Sequence, residues 1–258
     1  MEKTKVLTKK LIDQILKKPP QEQGPYESFT VIEDEAAVYL SKKIKVLTLN
    51  LDGLTSLSDV AAAAFGKFDC CGCPNYSVLL NGVKTISDAG LKSLAKFEGS
   101  LSLGGLRELS DAGAQALVSH KGGRLRLNGI KALTVSAAKI LSGYYKGKNS
   151  GEWLSLGGLA DANDGVLKEL VKYKGYLGLA GLKIISDSGA KILAEHRGPH
   201  LYLDGLKTLS EAAAKSLAGY KGFNNAAYNT KGKISLGKDA AKILLKQKGG
   251  DDVLDQDE

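Results

Sequence analysis

The chain has 258 residues, of which 43% are apolar and 25% charged, with 36 Lys and Arg set against 28 Asp and Glu for a formal charge of +8. No apolar run approaches the ~20 residues of a membrane-spanning helix, and the beginning lacks the apolar stretch of a secretory signal. Three clustered cysteines are no disulfide framework, so a cytoplasmic location is expected.

The first predicted element is an amphipathic helix over residues 6–18, with Leu7, Leu11, Ile12, Ile15 and Leu16 on one side and Pro19-Pro20 as its stop. It reads as a cap or docking helix. A degenerate unit follows, in which Phe29, Ile32, Ala36 and Ala37 supply a turn and a helix without a preceding strand pattern.

From there the chain is periodic. Gly53, Gly82, Gly105, Gly129, Gly158, Gly181 and Gly205 each follow an L-x-L-x pattern, at steps of 29, 23, 24, 29, 23 and 24 residues. The rhythm itself repeats after 76, which points to a three-rung block duplicated as a unit. A period of 20 to 30 with leucines at fixed offsets is the mark of a solenoid.

Counted from each glycine, positions −4 and −2 are apolar, as in Leu101 and Leu103, and define one half-buried strand. Positions +1 and +4 are Leu, Ile or Val except at Ala162. At +5 stand Ser58, Ser87, Ser110, Thr134, Asn163, Ser186 and Ser210, expected helix N-caps, usually followed by an Asp that suits the helix dipole. Small residues at +8 and +9, Leu or Phe at +12 and a small residue at +13 form the packed helix face. Glycine at +17 (Gly99, Gly122, Gly175, Gly198, Gly222) is expected to end the helix.

The motif L-S-L-G-G-L-R-E-L-S-D-A-G-A-Q-A-L-V at 101–118 resembles leucine-rich repeats. Its S-D-A-G-A half is similar to the helical half of ribonuclease-inhibitor-type units, and the tandem pattern to bacterial repeat proteins. It departs from the standard leucine-rich repeat L-x-x-L-x-L-x-x-N-x-L in lacking the ladder asparagine and in placing the closing leucine one residue later. The resemblance implies an α/β leucine-rich-repeat solenoid of about eight rungs, with parallel strands on a concave face and short helices on the convex face. It does not imply a function. The expected organisation is an N-terminal helix and linker over 1–27, one repeat solenoid over 28–249 with capping units at both ends, and an acidic tail over 250–258.

Function is sought where the rungs differ. Positions −5 and −3 project away from the leucines. They are small and mostly polar in the early rungs, then become Arg124, Arg126, Trp153, Tyr176, His200 and Tyr202. Trp, Tyr and Arg are the residues enriched in binding hot spots. With strands about 4.8 Å apart these six would lie together, and Gly157, Gly178 and Ala180 beside them would leave room for a ligand side chain. The alternative is that the aromatic and Arg side chains simply cover the sheet.

The +15 column (Phe68, Phe97, His120, Tyr144, Tyr173, His196, Tyr220) reads as packing with a polar edge. Asp161–Gly165 superficially resembles a calcium loop, but it sits in the cap register and lacks the distal Glu. Cys70, Cys71 and Cys73 offer three crowded thiols where a closed zinc site wants four ligands, so they remain a weak metal or redox candidate.

No nucleophile elbow, phosphate loop or metalloprotease motif appears, so neither an enzyme nor a cofactor is expected. The basic charge is spread over helix exteriors, which disfavours nucleic acid. The leading expectation is a monomeric scaffold that binds an unknown protein partner. Polyanion binding through the basic exterior is the alternative.

Overall fold

The computed structural model of the chain describes residues 4–18, 26–69, 76–144, 152–220 and 233–248. Two compact units divide it at Met1–Gly129 and Ile130–Glu258. The boundary falls at Gly129, the register glycine that opens the second 76-residue block. The glycine-cysteine segment, the later insertions and the acidic tail lie outside the described residues.

In the first unit β1 (Val6–Leu7) precedes α1 (Lys9–Leu16), and β2 (Val31–Ile32) precedes α2 (Asp34–Lys43). Three full repeats follow: β3 (Thr48–Asn50) and α3 (Asp59–Phe65), β4 (Ser77–Leu79) and α4 (Asp88–Leu94), β5 (Ser100–Ser102) and α5 (Asp111–Leu117). A fourth strand, β6 (Arg124–Arg126), completes a parallel sheet in the order β3-β4-β5-β6. β1 and β2 form a separate parallel pair.

The second unit begins with α6 (Val135–Ser142). It continues as β7 (Trp153–Ser155), α7 (Asp164–Leu170), β8 (Tyr176–Gly178), α8 (Asp187–Leu193), β9 (His200–Leu203), α9 (Glu211–Ala218), β10 (Lys233–Leu236) and α10 (Lys238–Lys248). Its strands run in parallel in the order β7-β8-β9-β10. Within each unit consecutive helices pack on one another. Each unit is thus an α/β solenoid of the leucine-rich-repeat type.

The leucine register sets the core. Leu101, Leu103 and Leu106 of one rung are buried, as are their equivalents in the other six rungs that carry the register glycine, while in the last rung Ile234 is buried and Leu236 half-buried. Each such burial contributes about 2 kcal/mol. All seven residues at +5 cap their helices, accepting a hydrogen bond from the backbone N–H three positions on.

The caps also tie repeats together. Ser58, Ser87 and Ser110 donate their hydroxyls to Asp34, Asp59 and Asp88 of the preceding repeat, and Ser210 does the same to Asp187. One Ser therefore serves its own helix as acceptor and its neighbour as donor.

The exception at +4, Ala162, has a packing reason. A Cβ on Gly90, Gly113 or Gly189 at +8 would come within 2.8–3.0 Å of the Ile or Leu at +4 of the same repeat. Where +4 shrinks to Ala162, position +8 grows to the buried Val166. The pair keeps its volume.

The +17 glycines require a correction at Gly99, Gly122, Gly175 and Gly198, Gly222 lying outside the described residues. The helices end earlier, with right-handed C-caps at Ala95, Val118, Val171 and Ala194. The glycines four residues further on answer a close approach instead. A Cβ on Gly122 would lie 1.8 Å from the Gly99 carbonyl oxygen, and one on Gly198 would lie 2.0 Å from that of Gly175. The ring at +15 presses on the same spot, His120 against Gly122 and His196 against Gly198.

The N-terminal segment also differs from the expected simple helix. Thr8 caps α1, lies 25 residues before the α2 cap Glu33, and Glu33 lies 25 before Ser58. Thr30 N–H donates to Lys5 O at 2.8 Å, Thr55 N–H to Thr30 O at 3.1 Å and Lys84 N–H to Thr55 O at 3.0 Å. Residues 5–16 therefore repeat the turn-and-helix half of a rung.

Candidate functional site

The strand faces of the two units are covered differently. In the first unit the −1 position carries a hydrogen-bonded ladder. Asp52 accepts from the Asn81 backbone N–H at 2.8 Å and from its side-chain amide at 3.1 Å. Asn81 Oδ1 in turn accepts from Ser102 Oγ at 2.6 Å and from Gly104 N–H at 2.9 Å. Ser77 and Thr48 hydroxyls meet at 3.1 Å. The sequence reading missed this ladder; the signal for it was Asp52 and Asn81 standing at −1 of successive rungs.

In the second unit the same face carries stacked rings. Trp153 lies 5.8 Å from Tyr176 at an interplanar angle of 17°, and 4.7 Å from Tyr202 at 16°. His200 stacks on Tyr202 at 3.9 Å and 6°. All four expected aromatic site residues are brought into one cluster. Trp153, Tyr176 and Tyr202 are half-buried and His200 is buried.

Trp153 and Tyr202 sit two strands apart, and what joins them is Gly178. Gly178 pairs with Ser155 on one side and Tyr202 on the other. The indole lies across it, with Nε1 only 3.3 Å from where a Cβ would be. The expected space for a ligand side chain above Gly178 is therefore filled by Trp153 itself. The indole Nε1 is buried there with no hydrogen-bond acceptor. Arg124 and Arg126 lie on β6 of the first unit, exposed and half-exposed respectively.

The +15 column packs as expected. Phe97 stacks on Phe68 and on His120 in the first unit, while Tyr144 stacks on Tyr173, and His196 on Tyr220, in the second. Both histidines are fully buried. Burial pushes the His120 imidazole down to about 4 and lowers that of His196, against neighbouring backbone carbonyls that favour the proton. Asn163 caps α7, so Asp161–Gly165 holds the cap register in the structure as well.

Cys70, Cys71 and Cys73 lie outside the described residues. Among the described residues no cluster of His, Cys, Asp or Glu could hold a metal ion, and no helix is long and apolar enough to cross a membrane. Exposed lysines alternate with acids, as in the Lys121–Glu98 and Lys172–Glu169 pairs at 2.9 and 2.7 Å.

No family model and no curated protein matches the chain. Among solved structures it is similar to an internalin from Listeria monocytogenes, at 18% identity and a TM-score of 0.45, over 88% of this chain and 66% of that one. A leucine-rich-repeat protein from Leptospira interrogans aligns over 88% of this chain and 73% of its own, at 14% identity and a TM-score of 0.28. This chain thus spans just under two thirds of the internalin it matches.

Proposed function

We propose that the chain is a non-catalytic protein-binding scaffold whose second unit engages its partner through the strand face around Trp153. The observation that carries this reading is the single stacked cluster of Trp153, Tyr176, His200 and Tyr202. It places the chain's only Trp, half-buried, among half-buried Tyr rings.

Large rings with few rotatable bonds give contact area at a small entropic cost, which is why they dominate binding hot spots. Because the rings stack on one another, the faces between them are occupied and their edges remain. The cluster therefore offers a rigid, preorganised ridge in place of an open slot. It suits an opposing protein surface better than a sugar or a base that must lie flat on a ring. Arg124 and Arg126 stay in the proposal as contact residues on the first unit's own strand face.

The test is affinity capture from native lysate with the wild-type chain and with a Trp153→Ala, Tyr202→Ala double variant, foldedness being checked by circular dichroism. Capture of a discrete protein that drops at least tenfold in the variant supports the assignment. Undiminished capture by a folded variant overturns it.

A further inference from the structure

The 76-residue duplication supplies an internal control for every surface feature, and one groove fails to match its copy. In each unit a groove runs between the turns of two adjacent repeats, at the same register. The first, of about 570 Å³, is lined among others by Lys84, Ile86, Arg107 and Glu108. The second, of about 680 Å³, has Ala160, Ala162, Lys183 and Ile184 at the corresponding positions.

Two exposed charged side chains of the first groove are thus replaced by apolar ones in the second, Lys84 by Ala160 and Glu108 by Ile184. Ile184 is 76% exposed, the most exposed large apolar side chain among the described residues. Nothing in its own repeat needs that exposure, since Ile185 next to it does the packing against Gly189.

The charges shift as well. Around the first groove Lys84 and Arg107 balance Asp88 and Glu108. Around the second Asp161 and Asp164 face only Lys183, so the rim is net acidic on a chain of charge +8. The link between repeats is also altered here. The Ser186 hydroxyl faces Ser188 Oγ at 3.0 Å, where Ser110 in the equivalent place donates to Asp88.

We infer that this second groove is a docking site for a partner segment that presents a branched aliphatic side chain next to an arginine or lysine. The aliphatic group packs on Ala160, Ala162 and Ile184, and the cation meets Asp161 and Asp164. Burying one such side chain beside one screened charge pair gives a weak contact, with a dissociation constant on the order of 1 mM. The groove therefore adds to a larger contact elsewhere. It lies apart from Trp153 and Tyr202 in sequence and uses neither, so either assignment can fail alone.

The experiment titrates ¹⁵N-labelled full-length protein with the capped peptide Ala-Ala-Ile-Arg-Ala and follows backbone amide shifts. Saturable shifts are expected at 160–164 and 183–186 and not at 84–88 or 107–110. They should weaken at least threefold with Ala-Ala-Ile-Glu-Ala. Ile184→Glu with Ala160→Lys installs residues the first groove already tolerates, and should abolish the response in a folded protein. The reciprocal Lys84→Ala, Glu108→Ile should create it in the first groove. Absence of shifts at 10 mM peptide, or equal response to both peptides, overturns the proposal. So does self-association that Ile184→Glu removes in sedimentation, which would make a second copy the occupant.

Discussion

The two units share a leucine register, a helix layer and a cap pattern, yet they cover their strand faces in opposite ways. Position by position, Ser77 of the first unit corresponds to Trp153 of the second, Ser102 to Gly178 and Asn81 to Gly157. The changes belong together. Ser102 and Asn81 are two members of the polar ladder, and removing both abolishes it. The same removals clear the backbone on which the indole lies. A short parallel sheet can evidently be finished by side chains that satisfy one another's hydrogen bonds or by rings that satisfy one another's faces. The polar finish leaves few groups to offer a partner, and the aromatic finish leaves ring edges.

The comparison breaks first where the units are alike. Gly122 and Gly198 occupy equivalent places, and an added Cβ would fall about 2 Å from a backbone oxygen in each. Neither the oxygen nor the ring behind it can retreat without moving a neighbouring rung. Gly122→Ala and Gly198→Ala should each cost about 4 kcal/mol or prevent folding, measured by urea denaturation. If either costs under about 1 kcal/mol, close approach does not explain these glycines.

The buried histidines form the second shared feature. An imidazole held near 4 when folded, and near 6.5 when unfolded, makes the unfolded state the better proton binder between those values. The stability that depends on His120 is thus complete above pH 6.5 and declines as pH falls toward 4. The loss over that window should be about 3 kcal/mol. His196 acts in the same direction. His120→Phe, which installs the residue that Phe97 places in the same column, should flatten the acid limb of the stability curve. An unchanged limb would show that the acid lability comes from elsewhere.

Third comes the polar ladder, which runs from Asp52 through Asn81 to Ser102 in the first unit and returns at the far edge of the second, where Ser235 donates to Asp204 in the same register. Asn81→Leu leaves the buried Ser102 hydroxyl and the Gly104 N–H without their acceptor. The expected cost is about 2 kcal/mol by denaturant titration. The mirror change in the second unit, Gly157→Asn, should recover none of that, because Gly178 there offers no hydroxyl to complete the ladder.

How much of this was legible in the sequence follows from what kind of contact each feature is. Features set within one repeat leave fixed offsets, so the strand leucines, the seven caps and the side of the strand to which Trp153, Tyr176, His200 and Tyr202 belong could be read directly. Contacts between repeats depend on the distance between two backbones, which no offset records. That is why glycine at +17 read as a helix stop when its neighbour across the rung is the reason for it. The half repeat at Thr8 was hidden for another reason. The leucine pattern that flags a rung lives in the strand half, and residues 5–16 carry only the turn and the helix. The ladder of Asp52 and Asn81 was visible only by aligning the −1 column across rungs.

The finest point of difference between the units is Gly178 itself, and it bears directly on the proposed site. The indole of Trp153 can reach Tyr202 only because nothing stands on the strand between them. A Cβ there would already sit 3.1 Å from Ser155 Oγ and 3.3 Å from the indole nitrogen. Gly178→Val adds two methyl groups beyond that atom and must lift the ring off Tyr202. The loss is one aromatic pair, about 1 kcal/mol, partly offset by the better strand propensity of Val. Stability would therefore change little while the site changes much. With a single Trp in the chain, fluorescence reports on that residue alone: the emission maximum should move to longer wavelength as the ring enters water. Partner capture should fall with it, because the preorganised ridge is gone. If emission shifts but capture holds, the ridge is only a lid over the sheet, and binding must be sought on another face.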